Sequence, residues 1–140
     1  MEATWFVVAD RSGAQVYEVE GTKMRPKLRP LDLLDDDAPG QDEENPGQSG
    51  AHMMMLDPSR AVAEKDRRFV RSLVDHLAQA QHRRAFARLV IAAPAELVGH
   101  IREISSRTLA RSVHREIIGD YTHDTPRALQ QRILRQRWLD

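Results

Sequence analysis

Two sets of side chains in this 140-residue sequence have the chemistry to act on another molecule. The first is polar and late: Asp120, Tyr121, Thr122, His123 and Asp124 stand between a strand pattern and a helix cap. Loops that follow parallel strands are where α/β proteins place ligands, although Asp, Thr and His also satisfy turn and cap amides. Asp10 closes the first strand pattern. If it meets Asp120 or Asp124, the carboxylates can hold Mg²⁺ for phosphodiester cleavage, whereas the turn alone also explains Asp10. Its partners in a polar site would be Asp120, Thr122 and His123.

The second set is basic. From Pro58 to Asp140 there are sixteen Lys and Arg against nine Asp and Glu, a net of +7, and all but Lys65 are Arg. Leu31 to Asp57 is the reverse, with eight acidic residues and no basic one. The planar guanidinium suits phosphate, and Arg67, Arg68, Arg71, Arg83 and Arg84 are the candidates for RNA contact. A solvated helix face would also carry such residues, with Glu64–Arg68 and Arg71–Asp75 as i, i+4 pairs.

Several chemistries lack their residues. There is no cysteine, so neither a thiolate nucleophile nor a disulfide is available. The six histidines are scattered, without the helical His-Glu pairing of a zinc site, and no metal or cofactor is expected. Neither a phosphate-cradling glycine loop nor a Gly-x-Ser-x-Gly elbow is present. The longest apolar runs are far shorter than the ~20 residues of a spanning helix, and the first residues have no leader pattern. The expectation is a soluble, cytoplasmic chain that does not engage a membrane.

These residues must be positioned by a small set of elements. Thr4 to Ala9 and Ala14 to Glu20 read as strands, joined through Asp10-Arg11-Ser12-Gly13 as an antiparallel hairpin with Gly13 free to take a positive φ. A second turn at Gly21-Thr22-Lys23 leads to a weaker strand broken by Pro26 and Pro30, and proline at those places suggests a sheet edge or an irregular start. Asp35 to about Leu56 is acidic and rich in Pro and Gly, which predicts a long mobile loop. Asp57-Pro58 then caps a helix to about Gln81, with Val62, Phe69, Val70, Leu73, Val74, Leu77 and Ala80 on its apolar stripe. Arg88 to Ala93 is a buried strand, Pro94 opens a helix to about Ile104, Val113 to Ile118 is a strand, and Thr125-Pro126 caps a helix ending near Leu139. The fold class is α/β in one domain over 1–140, with a mixed sheet, an N-terminal antiparallel hairpin and helices packed on it.

The order of these pieces, with Arg68-Phe69 and Arg71, Ala92-Ala93-Pro94 and Gly119-Asp120-Tyr121-Thr122-His123, resembles the bacterial family of host attachment proteins. That family is similar in layout to the middle domain of archaeal and eukaryotic class-one translation release factors, of ribonuclease-H-like topology. In those factors a loop bears Gly-Gly-Gln before a helix with Arg-Phe-x-Arg; here Pro46-Gly47-Gln48-Ser49 precedes Arg68-Phe69-Val70-Arg71. The resemblance implies ribosome or tRNA and rRNA as partners. It also implies a hydrolase alternative, in which Gln48 positions water against a peptidyl-tRNA ester and Gly47 permits close approach. Pro46 cannot adopt the positive φ open to a first glycine, and the acidic loop repels phosphate, which favours a non-catalytic binding or regulatory factor. A third reading is a protein-interaction module, in which the acidic loop docks on a basic partner or on the Arg-rich helices of a second copy.

Overall fold

The computed structural model describes the backbone of residues 3–35 and 58–140, and the side chains of 3–35 and 64–140. Its strands are β1 (Thr4–Asp10), β2 (Gly13–Thr22), β3 (Arg25–Asp35), β4 (Arg88–Ala93) and β5 (Val113–Ile118). Its helices are α1 (Pro58–His82), α2 (Ala95–Ile104), α3 (Arg107–Ser112) and α4 (Pro126–Gln136). One five-stranded sheet has the order β3-β2-β1-β4-β5. β1 pairs antiparallel with β2, and β2 with β3; β1–β4 and β4–β5 are parallel. The mixed α/β architecture matches the reading of the sequence.

The unbroken apolar text of β1 follows from burial on both faces. Trp5, Val7 and Ala9 point to one core with Phe69, Leu73 and Leu77 of α1, Leu97 and Ile101 of α2, and Leu109 of α3. Phe6 and Val8 point to a second core with Val90, Ile117, and Leu129 and Ile133 of α4. A strand alternates its side chains, so both sets must be apolar when helices cover both faces. Trp138 completes the second core by stacking on Phe6 at 5.9 Å between centroids.

Three local expectations need correction, and one helix has no counterpart in the sequence reading. Gly13 does not take a positive φ, which among the described glycines occurs at Gly21 and Gly119; at Gly13 an added Cβ would lie 2.6 Å from the Leu34 carbonyl oxygen, so the residue is needed for close approach to β3. Pro26 and Pro30 do not break β3, which runs continuously; it lies at the sheet edge, as those prolines suggest, where a missing amide hydrogen is tolerated, with a register shift opposite Val16 and Tyr17. The last helix ends at Gln136 because Arg137 turns left-handed at φ 57°, which brings Trp138 back to the sheet. α3 carries one buried apolar residue, Leu109, and so has no readable period; its signal is the cap, with the Ser106 side chain accepting from the Leu109 amide at 3.1 Å.

Candidate functional site

The parallel strands β1, β4 and β5 all end at one edge of the sheet, where Asp10, Pro94 and Gly119 begin their loops. The Gly119 amide donates to the Ala93 carbonyl at 3.0 Å, so the chain leaves β5 in register with β4. Gly119 has φ +155°, and a Cβ there would meet the Tyr121 ring at 2.7 Å. The turn this permits sends Asp120 to His123 across the edge toward β1.

Thr122 joins the two ends. Its hydroxyl oxygen lies 2.7 Å from Asp10 Oδ2 and 2.9 Å from Asp120 Oδ1, and its amide donates to Asp120 Oδ1 at 3.3 Å. Asp10 Oδ1 meanwhile accepts from the Ser12 amide at 2.8 Å, the Ser12 hydroxyl at 2.7 Å and the Gly13 amide at 3.1 Å. Burial by itself pushes the Asp10 carboxyl up, but the hydrogen bonds from Ser12, Thr122 and Gly13 outweigh it and hold its pKa below the ordinary value of 3.8. Ligand atoms of Asp10, Asp120 and His123 all lie within 4.8 Å of one another.

Thr122 has one hydroxyl proton for two carboxylates. A divalent cation beside them would relieve the repulsion that remains. The donor set of two carboxylates and an imidazole fits a cation such as Mg²⁺ or Mn²⁺. The group borders a cleft of about 380 Å³ lined by Asp10, Ser12, Gln15, Leu33, Thr122 and His123. The expected polar site of Asp10, Asp120, Thr122 and His123 is therefore one place in space. Asp124 is not part of it, because Arg132 Nε donates to its carboxylate at 2.6 Å.

The five arginines singled out in the sequence are all exposed. Arg67, Arg71 and Arg68 span an arc of about 100° on α1, opposite the buried stripe of Phe69, Val70, Leu73 and Leu77. Arg83 and Arg84 follow the last turn. There Arg84 takes φ 62° and the Ala85 amide bonds the Ala80 carbonyl at 2.9 Å, a Schellman ending.

Among the described residues none of these five has a carboxylate within ion-pairing distance. The expected pairs Glu64–Arg68 and Arg71–Asp75 do not form: all four side chains are exposed, where an ion pair gains little over hydration. Four arginines elsewhere are paired, while Arg25, Arg88, Arg107, Arg111, Arg127, Arg135 and Arg137 are exposed without a carboxylate partner among the described residues. Arg11 bridges Asp66 and Glu96, Arg29 bridges Glu18 and Glu20, Arg102 meets Glu116 and Arg132 meets Asp124.

The sequence reading missed Arg107 and Arg111, exposed on α3. Gln81 Nε2 donates to the Thr108 carbonyl at 3.0 Å, which sets α3 beside the basic end of α1. The i, i+4 spacing of the two arginines was readable, but not the contact that places them.

Gly47 and Gln48, with most of the acidic loop, lie outside the described residues. Their flanks do not. Asp35 pairs with Gly13, and Asp66 of α1 lies 3.6 Å from Arg11 Nε, so both flanks meet the sheet edge that bears Asp10. Asp32, the first acidic residue of that stretch, belongs to β3 and lies 3.1 Å from His76 Nε2 of α1.

Among the described residues no helix is long and apolar enough to cross a membrane. No protein of curated function matches the sequence. Among solved structures, an archaeal translation termination factor, aRF1, is similar with a TM-score of 0.54 at 11% identity; the likeness covers 96% of this chain and 37% of that one. A second solved structure, described as an archaeal protein, has a TM-score of 0.46 at 12% identity, covering 96% of this chain and 36% of its own. At 11% identity the likeness to aRF1 shows the fold alone, and this chain spans little more than a third of either structure's length. The sequence match is more specific: the model of the family described as protein required for attachment to host cells covers residues 5–133, so this α/β chain, with its basic helix and its Asp10-Thr122-Asp120 edge, belongs to that family.

Proposed function

We propose that the protein is a non-catalytic RNA-associated binding or regulatory factor, with the ribosome as its partner in the cytoplasm and the exposed face of α1 as its contact. One observation carries the reading. Arg67, Arg68, Arg71, Arg83 and Arg84 are exposed along one helix and its end without carboxylate partners among the described residues, and Arg107 and Arg111 on the adjacent α3 are exposed and unpaired as well. An unpaired guanidinium releases condensed counterions when it meets phosphate, which is the main source of affinity for nucleic acid. The fold shared with a termination factor supports the choice of ribosomal RNA.

Co-sedimentation with ribosomes at low and moderate salt tests this. The expected result is association that weakens with salt and falls about tenfold in the triple variant Arg67→Ala, Arg68→Ala, Arg71→Ala. Association that is absent, or indifferent to those substitutions, counts against the proposal.

A second reading rests on the convergence of Asp10, Asp120 and His123, namely nucleic-acid cleavage assisted by a divalent cation. Pure protein would cleave RNA or DNA only with Mg²⁺ or Mn²⁺ present, and Asp120→Asn would abolish the activity. Equal cleavage by the variant, or none by the parent, removes it.

A further inference from the structure

If α1 holds RNA phosphate, as the proposal above requires, the side chains it does not offer indicate which RNA. All seven Phe, Trp and Tyr rings of the chain lie among the described residues. Trp5, Phe6, Tyr17, Phe69, Phe86 and Trp138 are buried. Tyr121 is half-buried, edge-on to Trp138 at 5.3 Å and beneath the Arg132 guanidinium at 5.1 Å. No phenyl, phenol or indole ring is left for a base to stack on. Proteins that grip single strands rely on such rings, because an unpaired base needs a new partner for its apolar face.

A base-paired helix makes no such demand. Its bases already stack on one another, and it presents two rows of phosphate. The arginines also form two groups, Arg67, Arg68 and Arg71 on α1 and Arg83 and Arg84 just past its end, with about 18 Å along the helix axis from Arg71 to Arg83. The exposed residues between them are Ser72, Asp75, Gln79 and His82, with no Lys or Arg. A rigid helix with cations at two places and a carboxylate between them suits two phosphate rows flanking a groove. We infer that the RNA held by α1 is base-paired, contacted through the phosphates of both strands and without readout of base identity.

The inference rests on the RNA reading, and one experiment separates their failures. The full chain is titrated, by fluorescence anisotropy at low and moderate salt, with an RNA duplex of about 16 base pairs, with one of its strands alone, and with a second duplex of different sequence. The expected result is duplex binding at least about tenfold tighter than strand binding, equal for the two sequences and weakening with salt. Replacing Arg83→Ala together with Arg71→Ala lowers duplex affinity more than strand affinity. A strand bound as tightly as the duplex, or a strong preference between duplexes, overturns the inference and leaves RNA association standing. Failure to bind any of the three overturns both.

Discussion

Thr122 Oγ1 lies 2.7 Å from Asp10 Oδ2 across 112 positions of sequence, so one hydroxyl ties the loop after β5 to the turn after β1. No strand pairing joins those two loops, because β4 lies between β1 and β5. Removing the hydroxyl therefore releases the late loop from the turn of the first hairpin.

Thr122→Val is expected to cost about 1–2 kcal/mol in urea unfolding, the range for a partly buried hydrogen bond to a carboxylate. If the loss belongs to the contact with Asp10, it is smaller when made in an Asp10→Asn background. Equal losses in the two backgrounds would show that the threonine acts elsewhere.

Asp10 also predicts a pH dependence. Its folded pKa lies below 3.8, because donated hydrogen bonds outweigh burial, so the folded state binds this proton less readily than the unfolded chain does. Its contribution is complete above pH 3.8 and is lost as pH falls through the lowered folded value. The stability gap between parent and Asp10→Asn should accordingly be widest near neutrality and narrow below pH 3.8. A gap that widens on acidification contradicts the assignment.

Arg84 holds a left-handed conformation at φ 62°. Glycine adopts it without the Cβ penalty, so Arg84→Gly is expected to stabilise the fold by about 1 kcal/mol while weakening RNA binding. Thermal unfolding and anisotropy on the same sample would move in opposite directions. A variant that binds RNA unchanged would take Arg84 out of the interface.

Gly119→Ala places a methyl group 2.7 Å from the Tyr121 ring, in a conformation that L residues rarely adopt. The expected cost is about 1–3 kcal/mol. Because Tyr121 touches Trp138 edge-on at 5.3 Å, tryptophan fluorescence should report the displacement. An unaltered spectrum would mean that the loop absorbs the methyl group without moving the ring.

Asp10 was legible twice over, as a turn residue and as a candidate partner of Asp120, and both relations hold. A turn is a local matter: an Asp two residues before the amide it accepts is visible in four letters. The helix from Pro58 was equally legible, since its stripe repeats over many residues and Pro sets its start. α3 was not, because six residues with one buried leucine contain no period. The choice between Asp120 and Asp124 was also closed to pattern, because both lie in the same short loop and only Arg132, one turn into α4, draws Asp124 away.

The sequence by itself determined every element but α3, the fold class and the family, because periodicity and capping are written between near neighbours. It also determined which side chains are cationic. Only the tertiary structure decided which of those cations are free, since an arginine is neutralised by residues far along the chain, as Arg11 is by Glu96 and Arg102 by Glu116. The meeting of Asp10 with Thr122 was decided in the same way, by a parallel sheet that brings the carboxyl ends of distant strands to one edge.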